Sequence, residues 1–211
     1  MAYRVSILNS GVKIYDTTNK KIVWLTAKSF AKILLEGIDF EYCQVPYGTY
    51  AIKSGSSNKI CFAIYRAERK LATFYRDSDK NIKKLEIVAP NVMFFVTIYN
   101  RVINKVSVFA CDSLPALPTG INFSLYEFPF PNSSAGGDYI CLGENHDITV
   151  HNIADKFWSM PFTKELISNK VKGYANTWDF LMNLGSRKLF PNDLLVKYKS
   201  FKEYWDLIDL K

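Results

Sequence analysis

The sequence predicts an α+β fold, on three observations. Short alternating runs of apolar and polar residues fill its first half. A nearly continuous apolar run at Val92–Tyr99 stands in the middle. Helical apolar spacing dominates only after Cys141. The expected order is an early helix, an antiparallel β-meander, a loop carrying Cys141, and a set of packed helices, with extra strands at the N-terminus.

Each element has its own warrant. Tyr3, Val5 and Ile7 share one strand face, Asn9-Ser10-Gly11 turns the chain, and Val12 and Ile14 continue a second strand. Ile22–Leu25 is a third. Thr26 reads as an N-cap for a helix whose stripe is Ala27, Phe30, Ala31 and Leu34 and whose stop is Gly37. Tyr47–Lys53 and Lys59–Arg66 flank a Ser-Gly-Ser-Ser turn, and Leu71–Tyr75 adds another strand. Val92–Tyr99 has no polar face, which predicts a central strand covered on both sides. Its partner is Lys105–Cys111, with Val106, Val108 and Ala110 on one face and a hairpin turn over Asn100–Asn104.

Leu114–Pro118 and Phe128–Pro131 break regular structure, because proline fixes φ and donates no hydrogen bond. Beyond them, Ile153, Ala154, Phe157 and Trp158 have helical spacing. So do Trp178, Leu181 and Met182, closed by Gly185. A last helix opens on the capping box Ser200–Glu203 and carries Tyr204, Trp205 and Ile208. No linker or repeat interrupts the chain, so residues 1–211 read as one domain: 1–89 as N-terminal strands and helix, 90–211 as the core and C-terminal helices.

Composition narrows the function classes. At 211 residues, 48% of them hydrophobic, the chain can fill one core. No apolar run is long enough for a transmembrane helix, and the N-terminus has no secretory h-region, so a cytoplasmic protein is expected. Cys43, Cys61, Cys111 and Cys141 are scattered, without Cys-x-x-Cys spacing, and only two histidines accompany them. Zinc is therefore not predicted, and reduced, mostly buried thiols are. The net charge of +7 is thinly spread, as on a solvated basic surface; a nucleic-acid face is the weaker alternative. No phosphate-binding glycine loop or carboxylate pair is present, and no cofactor is implied.

Chemistry concentrates in one stretch. Pro131-Asn132 should make a turn, Ser133–Asp138 a glycine-containing loop, and Cys141 sits between Ile140 and Leu142. This brings a thiol beside an amide. Two readings stand for each group. Cys141 is a buried inert thiol or a nucleophile, and Asn132 is a turn residue or an oxyanion donor. Gly137 is a turn former or room for a partner's tail, and Asp138 a solvated residue or a group that orients an attacking amine. His146 and His151 follow Cys141 in sequence and are weaker proton-transfer candidates.

Phe130-Pro131-Asn132 followed by Ile140-Cys141-Leu142 resembles the ubiquitin-conjugating-enzyme family, where a strand meander leads into a His-Pro-Asn loop and then a catalytic cysteine. The blocks Pro90–Phe95, Leu125–Asn132, Gly137–Gly143, Phe157–Thr163, Trp178–Leu181 and Phe190–Leu195 are similar to a bacterial branch of that superfamily. That branch is the protein B family of the PRTRC genetic system, the prokaryotic ubiquitin-conjugating-enzyme-like family D. The chain departs from the wider family in having Phe130 where histidine stands, and from the branch in having Lys164 after Thr163. The resemblance implies a conjugating-enzyme-like fold and a transferase that carries a ubiquitin-like modifier as a thioester on Cys141, with Asn132 as oxyanion donor. The implied partners are a ubiquitin-like protein, an activating-enzyme-like protein and a JAB-type peptidase, in a system linked to mobile elements. The alternative is an inactive module of the same fold that binds a ubiquitin-like partner or scaffolds a plasmid or mobile-element complex.

Overall fold

The computed structural model describes residues 3–8, 11–16, 18, 20–26, 29, 46–55, 59–77, 79–100, 102–114, 123–137, 139–142, 147–163 and 170–210. The helix expected from Ala27 to Leu34, its Gly37 stop and Cys43 fall outside them. The described strands are β1 (Tyr3–Leu8), β2 (Gly11–Asp16), β3 (Lys21–Leu25), β4 (Thr49–Ser54), β5 (Lys59–Arg66), β6 (Arg69–Arg76), β7 (Ile82–Ala89), β8 (Val92–Tyr99), β9 (Val102–Cys111), β10 (Ser124–Tyr126), β11 (Pro161–Phe162) and β12 (Lys197–Ser200). The helices are α1 (Ile153–Ser159), α2 (Thr177–Gly185) and α3 (Phe201–Leu207). The fold is mixed α+β with mostly antiparallel sheets. Among the described residues, no helix is long and apolar enough to cross a membrane.

Strands β1, β2 and β3 form a small antiparallel sheet, with Val5 opposite Ile14 and Ile7 opposite Val12. The main sheet has six strands in the order β12-β10-β9-β8-β5-β4. β8 lies inside it, and its apolar run is explained by cover on both faces. Phe94 meets Phe157 of α1 on one side at 5.8 Å, and Phe95 meets Tyr204 of α3 on the other at 4.7 Å. Alternate residues thus enter two separate apolar cores, as the two-residue strand period requires.

The expected meander is interrupted. Between β5 and β8 the chain leaves the main sheet as the hairpin β6–β7, which joins β11 in a third sheet of order β11-β6-β7. The pairing nevertheless keeps one register: Arg66 faces Val92 in the main sheet and Arg69 faces Ala89 in the third. Residues 59–76 and 82–99 are therefore the two arms of one long hairpin, bent at residues 67–68 and 90–91. Asn91 holds the bend. Its Oδ1 accepts from the Tyr65 hydroxyl at 2.7 Å and the Glu68 amide at 2.8 Å, while its Nδ2 donates to Ser113 Oγ at 3.2 Å.

Several boundaries differ from expectation. β9 begins at Val102, so the hairpin turn is shorter than Asn100–Asn104, and an irregularity between Thr97 and Ile98 absorbs the difference. α2 runs through Gly185 and is capped by Ser186. Strand β7 was not expected, since its first half is exposed and lysine-bearing and only Ile87, Val88 and Ala89 are buried in sequence. The capping box of α3 is present, with Ser200 Oγ accepting from the Glu203 amide and Glu203 accepting from the Ser200 amide. The other end of α3 is held by Lys53, whose Nζ donates to the carbonyls of Trp205 at 2.8 Å and Ile208 at 2.7 Å.

Candidate functional site

The loop from Phe130 to Leu142 is built from its anchors outward. Phe130 is fully buried, stacks on Phe162 at 5.3 Å and meets the edge of Trp158 at 5.4 Å. Phe130 is thus an aromatic anchor in the core. Pro131 follows, also buried, and Asn132 then takes a left-handed conformation with φ +66. Asparagine is among the few residues that tolerate this region.

Beyond Asn132 the chain folds back on itself. The Cys141 amide donates to the Asn132 carbonyl at 2.7 Å, and the Ser134 amide to the Tyr139 carbonyl at 2.9 Å. Between them Ser133 and Ile140 form an antiparallel bridge. Cys141 is thus paired with Asn132 through the backbone. Ile140 is 4% exposed while Tyr139 is 65% exposed and Cys141 is exposed. Period-two alternation along this extended segment turns Cys141 and Tyr139 toward solvent and anchors Ile140 inside.

Three contacts brace the loop. First, the Asn132 amide Nδ2 donates to the Pro161 carbonyl at 3.0 Å, tying the loop to β11; Asn132 is only 7% exposed. Its amide holds the backbone. Second, Gly137 has φ +64, and a Cβ there would lie 2.5 Å from the Phe109 ring and 2.7 Å from the Val108 carbonyl. The missing side chain makes room for β9. The neighbouring Gly136 amide donates to Glu127 Oε2 at 2.8 Å.

The third brace is Lys170, one of the thinly spread cations that composition alone assigns to a solvated surface. It is 6% exposed. Its ammonium donates to the Ser133 carbonyl and, at 3.4 Å, to Ser133 Oγ. The two loop hydrogen bonds flank the Ser133–Ile140 pair without including it, so the Ser133 carbonyl points away from its partner segment and takes an outside donor. Lys170 is followed by buried Val171 and exposed Lys172. Nothing in that local pattern marks the first lysine as internal.

The remaining candidates are dispersed. Asp138 and His146 lie outside the described residues. His151 is exposed in the turn before α1, with its pKa lowered by partial desolvation and by the Lys21 ammonium. Cys61 and Cys111 are buried, as expected. Burial pushes the Cys61 thiol up to about 12 and raises that of Cys111 as well, which keeps both protonated and unreactive. Among the three described cysteines, Cys141 alone is exposed.

No family model, curated protein or solved structure matches this chain.

Proposed function

We propose that this chain carries an acyl group as a thioester on Cys141, in the manner of the ubiquitin-conjugating enzymes. The observation that carries the reading is an exposed thiol on a loop braced from three sides. The residues around it, Phe130, Asn132, Ser133 and Ile140, are buried. The antiparallel strands β8, β9 and β10, leading into the Pro-Asn loop and then the helices, support the conjugating-type order, and the motif blocks support the PRTRC protein B branch. In the first step Cys141 sulfur attacks the carbonyl carbon of an activated thioester, a new C–S bond forms, and the donor thiol leaves. In the second, an amine displaces Cys141, an amide forms and the thiol is restored. Asn132 serves here as a positioning residue, since its amide holds the loop to β11. A ubiquitin-like protein, an activating-enzyme-like protein and a JAB-type peptidase are the proposed partners.

A second reading is favoured by that same Asn132 contact. An amide engaged in holding the backbone supplies a rigid loop without requiring chemistry, which suits a non-catalytic module that binds a ubiquitin-like partner. One experiment separates the two. The chain is incubated with the activating-enzyme-like protein, the modifier and ATP, then run on a non-reducing gel. A thiol-labile adduct that is absent in Cys141→Ala supports transfer. A modifier that binds but forms no adduct, with the activating protein itself charged, supports the module.

A further inference from the structure

The bend of the long hairpin sets Arg66, the last residue of β5, near Arg69, the first of β6, with the carboxylate of Glu68 between them accepting from the Phe190 amide at 2.9 Å. Arg66 is 9% exposed. Its Nη1 donates to the backbone carbonyls of Tyr47 at 2.5 Å and Tyr65 at 3.1 Å, both neutral partners. Among the described side chains, no carboxylate lies within ion-pair distance of Arg66. The carboxylate that acts on Arg66 from farther off, Asp155, is held by Arg69 at 3.4 Å. Buried charges are ordinarily paired, so a buried guanidinium with only carbonyl partners invites an anion.

The surroundings strengthen this. Lys21 Nζ lies 5.5 Å and Arg66 Cζ 5.4 Å from the centre of one ring, that of Tyr47. That ring is 61% exposed. His151 feels the Lys21 charge from the turn before α1. The seat for Arg66 is shaped by Gly48, whose φ is +76 and whose Cβ would fall 2.5 Å from Arg66 Nη1. Any side chain at that position would dislodge the guanidinium.

We propose that this corner binds the phosphate group of a small phosphorylated ligand of the nucleotide class, with Arg66, Lys21 and Arg69 supplying positive charge and Tyr47 an aromatic surface beside it. The planar guanidinium fork matches phosphate oxygens. Two of the cations, Lys21 of β3 and Arg66 of β5, meet at one ring, and Arg69 opens the next strand, an arrangement for a compact anion. A nucleic-acid strand would need a row of cations along its length. The site is independent of Cys141.

The test is titration of the full chain with AMP, inorganic pyrophosphate and a thymidine oligonucleotide at constant ionic strength, by calorimetry and amide NMR shifts. Saturable AMP binding is expected, with shifts at Lys21, Tyr47, Arg66 and His151. Lys21→Gln, a change at an exposed side chain, should weaken it about fivefold to tenfold. Asp155→Asn should strengthen it, since it removes the competing carboxylate, an effect that loss of stability cannot imitate. Tyr47→Ala should bring AMP down to the affinity of pyrophosphate. The proposal is overturned if neither AMP nor pyrophosphate saturates the protein, or if Lys21→Gln and Asp155→Asn leave AMP affinity unchanged. Tighter binding of the oligonucleotide, with shifts spread along β6, would also overturn it in favour of a strand-binding face.

Discussion

Replacing Gly137 by alanine tests whether the Cys141 loop is held against the main sheet. Two penalties are expected. The backbone at φ +64 is left-handed, which costs a residue with a side chain about 1–2 kcal/mol. The new methyl group would sit 2.5 Å from two atoms of the Phe109 ring, and Phe109 is fully buried between Tyr198, stacked at 5.1 Å, and Tyr204 at 4.6 Å. A ring held this way cannot step aside, and overpacking of this kind costs about 1–3 kcal/mol. The sum is about 2–5 kcal/mol. Gly173 supplies the control, since its φ of +78 is similar but nothing lies within 4 Å of its Cβ position. Gly173→Ala should show the backbone penalty alone. Both variants are read by urea unfolding, with the difference between them giving the packing contribution. Equal losses, within about 0.5 kcal/mol, would show that the loop does not press on β9, because single-site losses are resolved to that level.

Three further outcomes are expected. Lys170→Met should lower stability by about 1–3 kcal/mol, because the Ser133 carbonyl loses a buried donor while the relieved ammonium desolvation offsets part of the loss; faster hydrogen exchange at the Cys141 and Ser134 amides, with β8 unchanged, would localise the effect to the loop. Lys53→Met should cost about 1–2 kcal/mol, read by urea unfolding, since two terminal carbonyls of α3 lose their shared donor; an unchanged midpoint would mean that water replaces it. With Cys43 replaced by serine, iodoacetamide should label one site in the native protein, Cys141, and reach Cys61 and Cys111 only after unfolding. The raised Cys61 pKa adds a pH signature. Below the ordinary thiol value the group is neutral in both states. Above it the unfolded chain ionises first, so stability should fall from the ordinary value of 9.0 toward about 12, and Cys61→Ala should flatten that part of the decline.

Much of the fold was legible because its signals are local. The unbroken apolar run of β8 announces cover on two faces, and Phe94 and Phe95 enter opposite cores. Ser200 and Glu203 announce a capping box because both partners of the box lie within one helical turn. Pro131-Asn132 announces a tight turn, and the left-handed Asn132 supplies it. What stayed hidden depends on distant partners. β7 carries no strand pattern over its exposed first half, since only pairing with β6 makes Lys83 and Lys84 strand residues. Lys170 reads as a surface cation because its partner Ser133 lies 37 residues away in sequence. Arg66 likewise draws its neighbours from Tyr47 and the bend, so the sequence alone leaves it among scattered basic residues. At the site, the sequence puts Asn132 and Cys141 in one loop, but the Asn132 amide holds that loop to Pro161, a partner 29 residues away that local pattern does not announce.

The single register carried through the bent hairpin has a kinetic consequence. β5 and β8 are neighbours in the main sheet, yet their pairing need not await a random encounter across the intervening chain. The turn that begins at Asp77, where the Asp77 amide donates to the Asn81 carbonyl at 3.0 Å and Asp77 Oδ1 accepts from the amides of Asp79 and Asn81, can nucleate β6 against β7. Hairpins of this kind close in about 1–10 μs. Once Arg69 faces Ala89, Arg66 and Val92 are already adjacent, and the ladder extends from there toward Lys59 and Tyr99. One zipper can thereby seed two sheets, with the entropy of closing the loop between β5 and β8 met in small local steps.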